Sequence, residues 1–113
     1  AIHDGLVYAA GTFSHAFRKG PLLSPCGAVT DQLFAPEDIS PRLPTPEERA
    51  LGDAVIAWVA DRFGVPTYAR VDVLPGPQVI EVELIEPSLY LAQGAGSAER
   101  FARAIADAVT VPG

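Results

Sequence analysis

Apolar and polar positions alternate in two stretches of the chain, one near its start and one after its middle, and each is followed later by a stretch of helical period. Leu6-Val7-Tyr8-Ala9-Ala10 is a short apolar run, and Gly11-Thr12 is a turn signal. Phe13-Ser14-His15-Ala16-Phe17-Arg18 then alternates large and small side chains with the period of two that a strand needs. This predicts a hairpin with His15 between Phe13 and Phe17 on one strand face. From Pro21 to Pro46 the pattern is lost, and six prolines, each without a backbone donor, argue against regular structure there. A helix follows over 46–63. Thr45 is its N-cap, Pro46 takes its first position and Glu48 completes a capping box. Leu51, Val55, Trp58, Val59 and Phe63 make its inner face, with Trp58 and Phe63 as core anchors. Gly64 and Pro66 stop it. Thr67–Leu74 and Gln78–Leu84 alternate on either side of Pro75-Gly76-Pro77, which predicts a second hairpin, and Pro87 ends its ladder. Gly94 and Gly96 mark a loop. Ser97 then caps a last helix whose apolar face is Phe101, Ile105, Ala108 and Val109. The order ββ, loop, α, ββ, α predicts an α+β fold: an antiparallel sheet with the helices packed on one face.

Composition narrows the classes. One domain accounts for 113 residues, of which 49% are hydrophobic. Eight Lys and Arg against fourteen Asp and Glu give a net charge of −6, a poor match for a phosphate backbone, so nucleic acid is excluded as the expected partner. No apolar run nears the roughly 18–20 residues of a membrane span, and no leader is visible at Ala1-Ile2-His3-Asp4. The lone Cys26 forms no internal disulfide and points to a reducing compartment, the cytoplasm.

The candidate chemistry lies in the second hairpin. Residues two apart share a strand face, so Arg70 with Asp72, and Glu81 with Glu83, each share one. A symmetric closure sets Asp72 opposite Glu81 and Arg70 opposite Glu83, all on one face. Val71, Val73, Ile80, Val82 and Leu84 then form the other face, which packs on the helices. Carboxylates opposed across a sheet repel. A divalent cation removes that repulsion, and oxygen ligands with open positions for phosphate suit Mg²⁺. The same pattern also describes a solvated sheet face with an Arg70–Glu83 salt bridge. Other groupings are weaker. His3, His15 and Cys26 fit no zinc spacing. Cys26 has no base nearby in sequence. Gly94-Ala95-Gly96 lacks the strand and lysine of a phosphate loop, and Ser88 lacks a hydrolase context.

Arg70-Val71-Asp72 followed by Glu81-Val82-Glu83-Leu84-Ile85-Glu86-Pro87 resembles the C-terminal part of the ATP-grasp fold, with a Glu-to-Pro spacing like that of glutathione synthetases. Phe13–Gly20 and Glu86–Leu91 are similar to actinobacterial ATP-grasp proteins related to the D-cycloserine-forming ligase. The resemblance covers nearly the whole chain. It implies that Asp72, Glu81 and Glu83 bind two Mg²⁺ ions bridging ATP phosphates, Glu81 thereby contacting the nucleotide as well. Arg70 would contact the phosphate or an acyl-phosphate intermediate. One of Arg18 and Lys19 would face the phosphates, and Glu86 and Ser88 would contact substrate. Many relatives have Asn at the position of Glu83, so this chain carries an extra carboxylate there. The resemblance further implies an N-terminal lobe that these residues do not contain. The chain is then the C-terminal portion of a ligase that joins a carboxylate to an amine or similar nucleophile, inactive alone and exposing apolar surface through which it forms a homodimer. The alternative is a stand-alone, non-catalytic α+β interaction domain.

Overall fold

The computed structural model describes residues 2–21 and 37–109. Cys26 lies outside them. Five antiparallel strands form one sheet in the order β3-β2-β1-β4-β5, where β1 is His3–Ala9, β2 Thr12–Pro21, β3 Glu37–Arg42, β4 Tyr68–Leu74 and β5 Gln78–Glu83. The helices are α1, Pro46–Phe63, and α2, Ser97–Val109. A short 3-10 turn, Leu91–Gln93, precedes α2. The α+β class, the antiparallel sheet and both hairpins are as expected.

The layering differs. Leu6, Tyr8, Ala16, Ala69, Val71 and Val73 pack with Ile56 of α1. Val7, Ala9 and Phe17 pack with Phe101 and Ala104 of α2. Neighbouring residues of a strand point to opposite faces, so the two helices cover opposite faces of the sheet rather than one. The expectation failed because β1 is apolar on both sides, with Leu6 and Tyr8 on one and Val7 and Ala9 on the other, which marks a strand buried from above and below.

Helix α1 keeps its expected bounds. The Thr45 side chain accepts from the Glu48 amide, and the Glu48 carboxylate accepts from the Thr45 amide, the reciprocal pair of a capping box. Its inner face is not the expected one. Gly52, Ile56 and Val59 are buried, whereas Trp58 and Phe63 are 54% and 74% exposed and pack on each other. Gly52 explains the choice: a Cβ there would strike the Tyr8 hydroxyl, so the helix approaches the sheet along its small side chains. In α2 the buried side chains are Ser97, Phe101 and Ala104. Ile105 and Val109 are exposed, and Ser97 donates to the Leu91 carbonyl from inside the helix rather than capping it.

The proline-rich stretch contains a strand. Among the described residues β3 is an edge that pairs with β2 alone, and an edge strand accommodates Pro41 because it can turn the ring's missing donor outward. In β2 a bulge at Ser14 separates Phe13, which packs with Tyr8, from His15 and Phe17 on the opposite face. Residues of β5 also depart from expectation. Val79, not Ile80, stands opposite Val73, and Val79, Ile80 and Val82 are all exposed, because α1 packs over β1 and β4 and leaves β5 uncovered. No helix of the described residues is long and apolar enough to cross a membrane.

Candidate functional site

The second hairpin brings its charged residues together as its alternation predicts. Arg70 pairs with Glu83 and Asp72 with Glu81. Two irregularities cancel to give this register. The turn takes three residues, Pro75-Gly76-Pro77, and Ile80 is then left over as a bulge. Opposed Val7 and Gly5 of β1 place Arg70 and Asp72 on the α2 side of the sheet.

Arg70 is 4% exposed and Asp72 1%. They form a bidentate pair, Nε to Oδ1 at 2.8 Å and the second fork at 2.7 Å. Arg70 also reaches Glu83 Oε2 at 3.1 Å and the Ser88 carbonyl at 3.2 Å. The rings of Phe17 and Tyr90 flank its guanidinium. Phe17 can lie there because Gly5 has no side chain; a Cβ at that position would enter the ring. Burial works against the Arg70 charge, but the hydrogen bonds and charge of Asp72 outweigh it, and its pKa rises. Burial raises the pKa of Glu83. Arg70 opposes this rise, whereas the hydrogen bond and charge of Glu81 and the charge of Asp72 reinforce it. The cluster therefore holds three carboxylates against one guanidinium, and its acidic end is the partly open one, at Glu81 and Glu83.

Among the described residues no group of three or more His, Cys, Asp and Glu side chains is arranged to hold a metal ion. The expected trio of Asp72, Glu81 and Glu83 is split, since both Asp72 oxygens are on Arg70. Glu81 and Glu83 remain. Their chemistry fits Mg²⁺, which is commonly held by one or two carboxylates together with substrate phosphates.

Arg18 and Lys19 separate as alternation requires. Arg18 lies on the α1 side, where it holds the buried Asp4 through Nε at 2.9 Å. Arg42 holds the other Asp4 oxygen at 3.1 Å and approaches Glu48. Burial opposes ionisation of Asp4, but the Arg18 and Glu48 hydrogen bonds and the two arginine charges bring its pKa down. Lys19 stands opposite His3 and so faces the Arg70 side. Glu86 and Ser88 lie in the segment after β5. Both side chains are exposed, and Ser88 meets Arg70 through its backbone.

Three participants escaped the sequence reading. His3 Nε2 is 3.4 Å from Asp72 Oδ2. It was hidden because the first strand was expected to begin at Leu6, three residues late. Tyr90 and Phe17 form the aromatic wall, 4.5 Å between ring centres. The large-small alternation of β2 marked Phe17 as inward, but nothing in sequence placed it beside Arg70.

No family model matches the chain. It is 34% identical over 109 residues to the cycloserine biosynthesis protein DcsG of Streptomyces lavendulae, a match covering 90% of this chain and 36% of DcsG. The crystal structure of D-cycloserine synthetase DcsG superposes with a TM-score of 0.79 at 32% identity, over 96% of this chain and 38% of that one. The D-alanine–D-alanine ligase of Bacillus anthracis shares the fold, with a TM-score of 0.61 at 16% identity over 95% of this chain and 38% of the ligase. Its ATP complex matches equally well, at 0.61. The chain thus spans a little over a third of the proteins it matches. It is a homologue of part of DcsG, and its fold is that of a part of the ATP-grasp ligases.

Proposed function

We propose that this chain is the C-terminal, metal- and nucleotide-binding part of an ATP-dependent ligase. That ligase would join a small carboxylate to an amine or similar nucleophile. The observation that carries the reading is the buried Arg70–Asp72 pair set beside Glu81 and Glu83 on one sheet face, in a chain with a third of its residues identical to DcsG.

In this reading a carboxylate oxygen attacks the γ-phosphorus of ATP. The bond to ADP breaks and an acyl phosphate forms. The amine then attacks the acyl carbon, phosphate leaves, and the nitrogen loses a proton. Such transfer asks for positioning and charge neutralisation rather than a protein nucleophile. Glu81 and Glu83 would hold Mg²⁺, and Asp72, now on Arg70, would be a further ligand if substrate displaced it from that pair. The ion, when bound, neutralises charge on the phosphates. Arg70 grips the transferring or departing phosphate with the fork it now gives to Asp72. Lys19, on the same side as His3, is the basic residue facing the phosphates. Arg18, committed to Asp4 on the other side, holds the fold. Glu86 and Ser88 form the rim that meets the carboxylate substrate. The missing lobe supplies the rest of the ATP site, and the chain alone is inactive.

The test is ATP- and Mg²⁺-dependent phosphate release by the protein that contains this chain, with amino-acid-derived carboxylates and amines as substrates. Release that depends on both substrates, and falls at least about a hundredfold in Glu81→Gln, is expected. Substrate-dependent release unaffected by Glu81→Gln and Glu83→Gln would overturn the site. No release with any such pair would favour the non-catalytic interaction domain.

A further inference from the structure

His15 takes no part in the chemistry above, yet it is buried and doubly bonded. Its Nε2 lies 2.8 Å from the Leu89 carbonyl and its Nδ1 2.8 Å from the Ser14 hydroxyl. A carbonyl can only accept, so Nε2 carries the proton and Nδ1 accepts from Ser14. The ring edge rests on Phe101 of α2. Leu89 belongs to the segment between β5 and the 3-10 turn. That segment carries the Ser88 carbonyl to Arg70 and the Tyr90 ring to Phe17. Glu86 and Tyr90 turn it through positive φ, 50° and 46°, values uncommon outside glycine that hold only where surroundings enforce them. Gly94 closes over His15 so tightly that a Cβ would enter the imidazole. The segment is thus fastened by His15 at Leu89 and touches Arg70 through the neighbouring Ser88.

We propose that His15 is a positioning residue that fastens the 85–93 segment onto the Arg70 site, and that acid unfastens it. Protonation would force Nδ1 to donate to the Ser14 oxygen, which already takes the Arg100 Nε–H at 3.0 Å. It would also set a cation beside Arg100 in a buried place. The charges facing His15 are Arg100 from α2 and, across Val7, Arg70 from β4. Burial holds its pKa below the usual histidine range. The Leu89 and Tyr90 carbonyls oppose that shift, and Arg100 adds to it. His15 therefore binds the proton more readily when the chain is unfolded or the segment is released. The fastened state is secure above about pH 6.5 and weakens as pH falls below it.

The effect on turnover rests on the ligase reading; the fastening itself does not. Amide hydrogen exchange of the chain tests it, corrected for intrinsic rates, at pH 8 and pH 5. His15→Gln keeps an N–H for Leu89 but takes no proton, and His15→Leu keeps bulk without a donor. In the native chain, protection over 85–93 should fall about tenfold relative to β1 and β4 between the two pH values. His15→Gln should stay protected at both, and His15→Leu at neither. Equal protection at both pH values in the native chain would overturn the proposal, as would a native pH response in His15→Gln. Should His15→Leu lose the strands as well, the native and Gln forms decide alone. Phosphate release by the whole protein completes the test. His15→Gln should carry its acid limb to lower pH than the native protein. An unmoved limb despite the expected exchange would break the link to Arg70. No release in the native protein would sink the ligase reading and leave the fastening standing.

Discussion

The two ion clusters on opposite faces of this sheet use the same residue types to different ends. On the α1 side, Asp4 and Glu48 meet Arg18 and Arg42, two charges against two, with the capping box of α1 built in. On the α2 side, Arg70 meets Asp72 and Glu83, and Glu81 lies beside Glu83. The first is closed and balanced. The second has a buried, paired end at Arg70 and Asp72, with His3 beside it, and an acidic, partly exposed end at Glu81 and Glu83, so that its carboxylates outnumber its guanidinium by a surplus of two. A fold gains nothing from such a surplus, whereas a site for a cation and an anionic substrate requires it. An arginine beside an aspartate is therefore not itself a functional signal; the charge balance of the surroundings decides.

Breaking the paired end of each cluster should separate them first. Arg70→Leu strands the Asp72 carboxylate in the interior and should cost about 3–5 kcal/mol in urea unfolding. Adding Asp72→Leu should recover much of that loss, since the buried charge goes too. Asp4→Asn should cost less, about 2 kcal/mol, because Arg18 and Arg42 are partly exposed and can turn to water. The pH sign follows from the lowered pKa of Asp4. Its contribution is complete above its unfolded value of about 4 and is lost as pH falls through the depressed folded value. Acid unfolding of Asp4→Asn should accordingly be flatter below pH 4. The smallest effect has the opposite sign. Glu81→Gln relieves carboxylate repulsion and, in metal-free buffer, should stabilise the chain by roughly 0.3–0.5 kcal/mol in thermal unfolding. A loss of stability there would mean that the acidic end is structural after all.

Much of this was legible in the sequence, for reasons visible in particular residues. The Thr45–Glu48 box fixed the start of α1 because its hydrogen bonds are local. The Arg70–Glu83 and Asp72–Glu81 pairs were readable because a long turn and the Ile80 bulge offset each other. Burial was harder. Trp58 and Phe63 look like anchors, but which side of a helix faces a sheet depends on close approach, and Gly52 decided it. Arg18 and Lys19 were separable by alternation, yet which of them faced Asp72 depended on the pairing of β1 with both β2 and β4. His3 and Tyr90 reach the site through tertiary packing that no local pattern encodes.

The most direct test of the contrast is paramagnetic. Mn²⁺, an oxygen-preferring stand-in for Mg²⁺, titrated into the isotope-labelled chain, broadens the amide signals nearest its site. Broadening should be strongest at 81–83, extend to 70–72 and fall off with distance towards Asp4 and Glu48, and Glu81→Gln with Glu83→Gln should abolish it. Broadening centred on Asp4 and Glu48, or none anywhere at millimolar Mn²⁺, would contradict it.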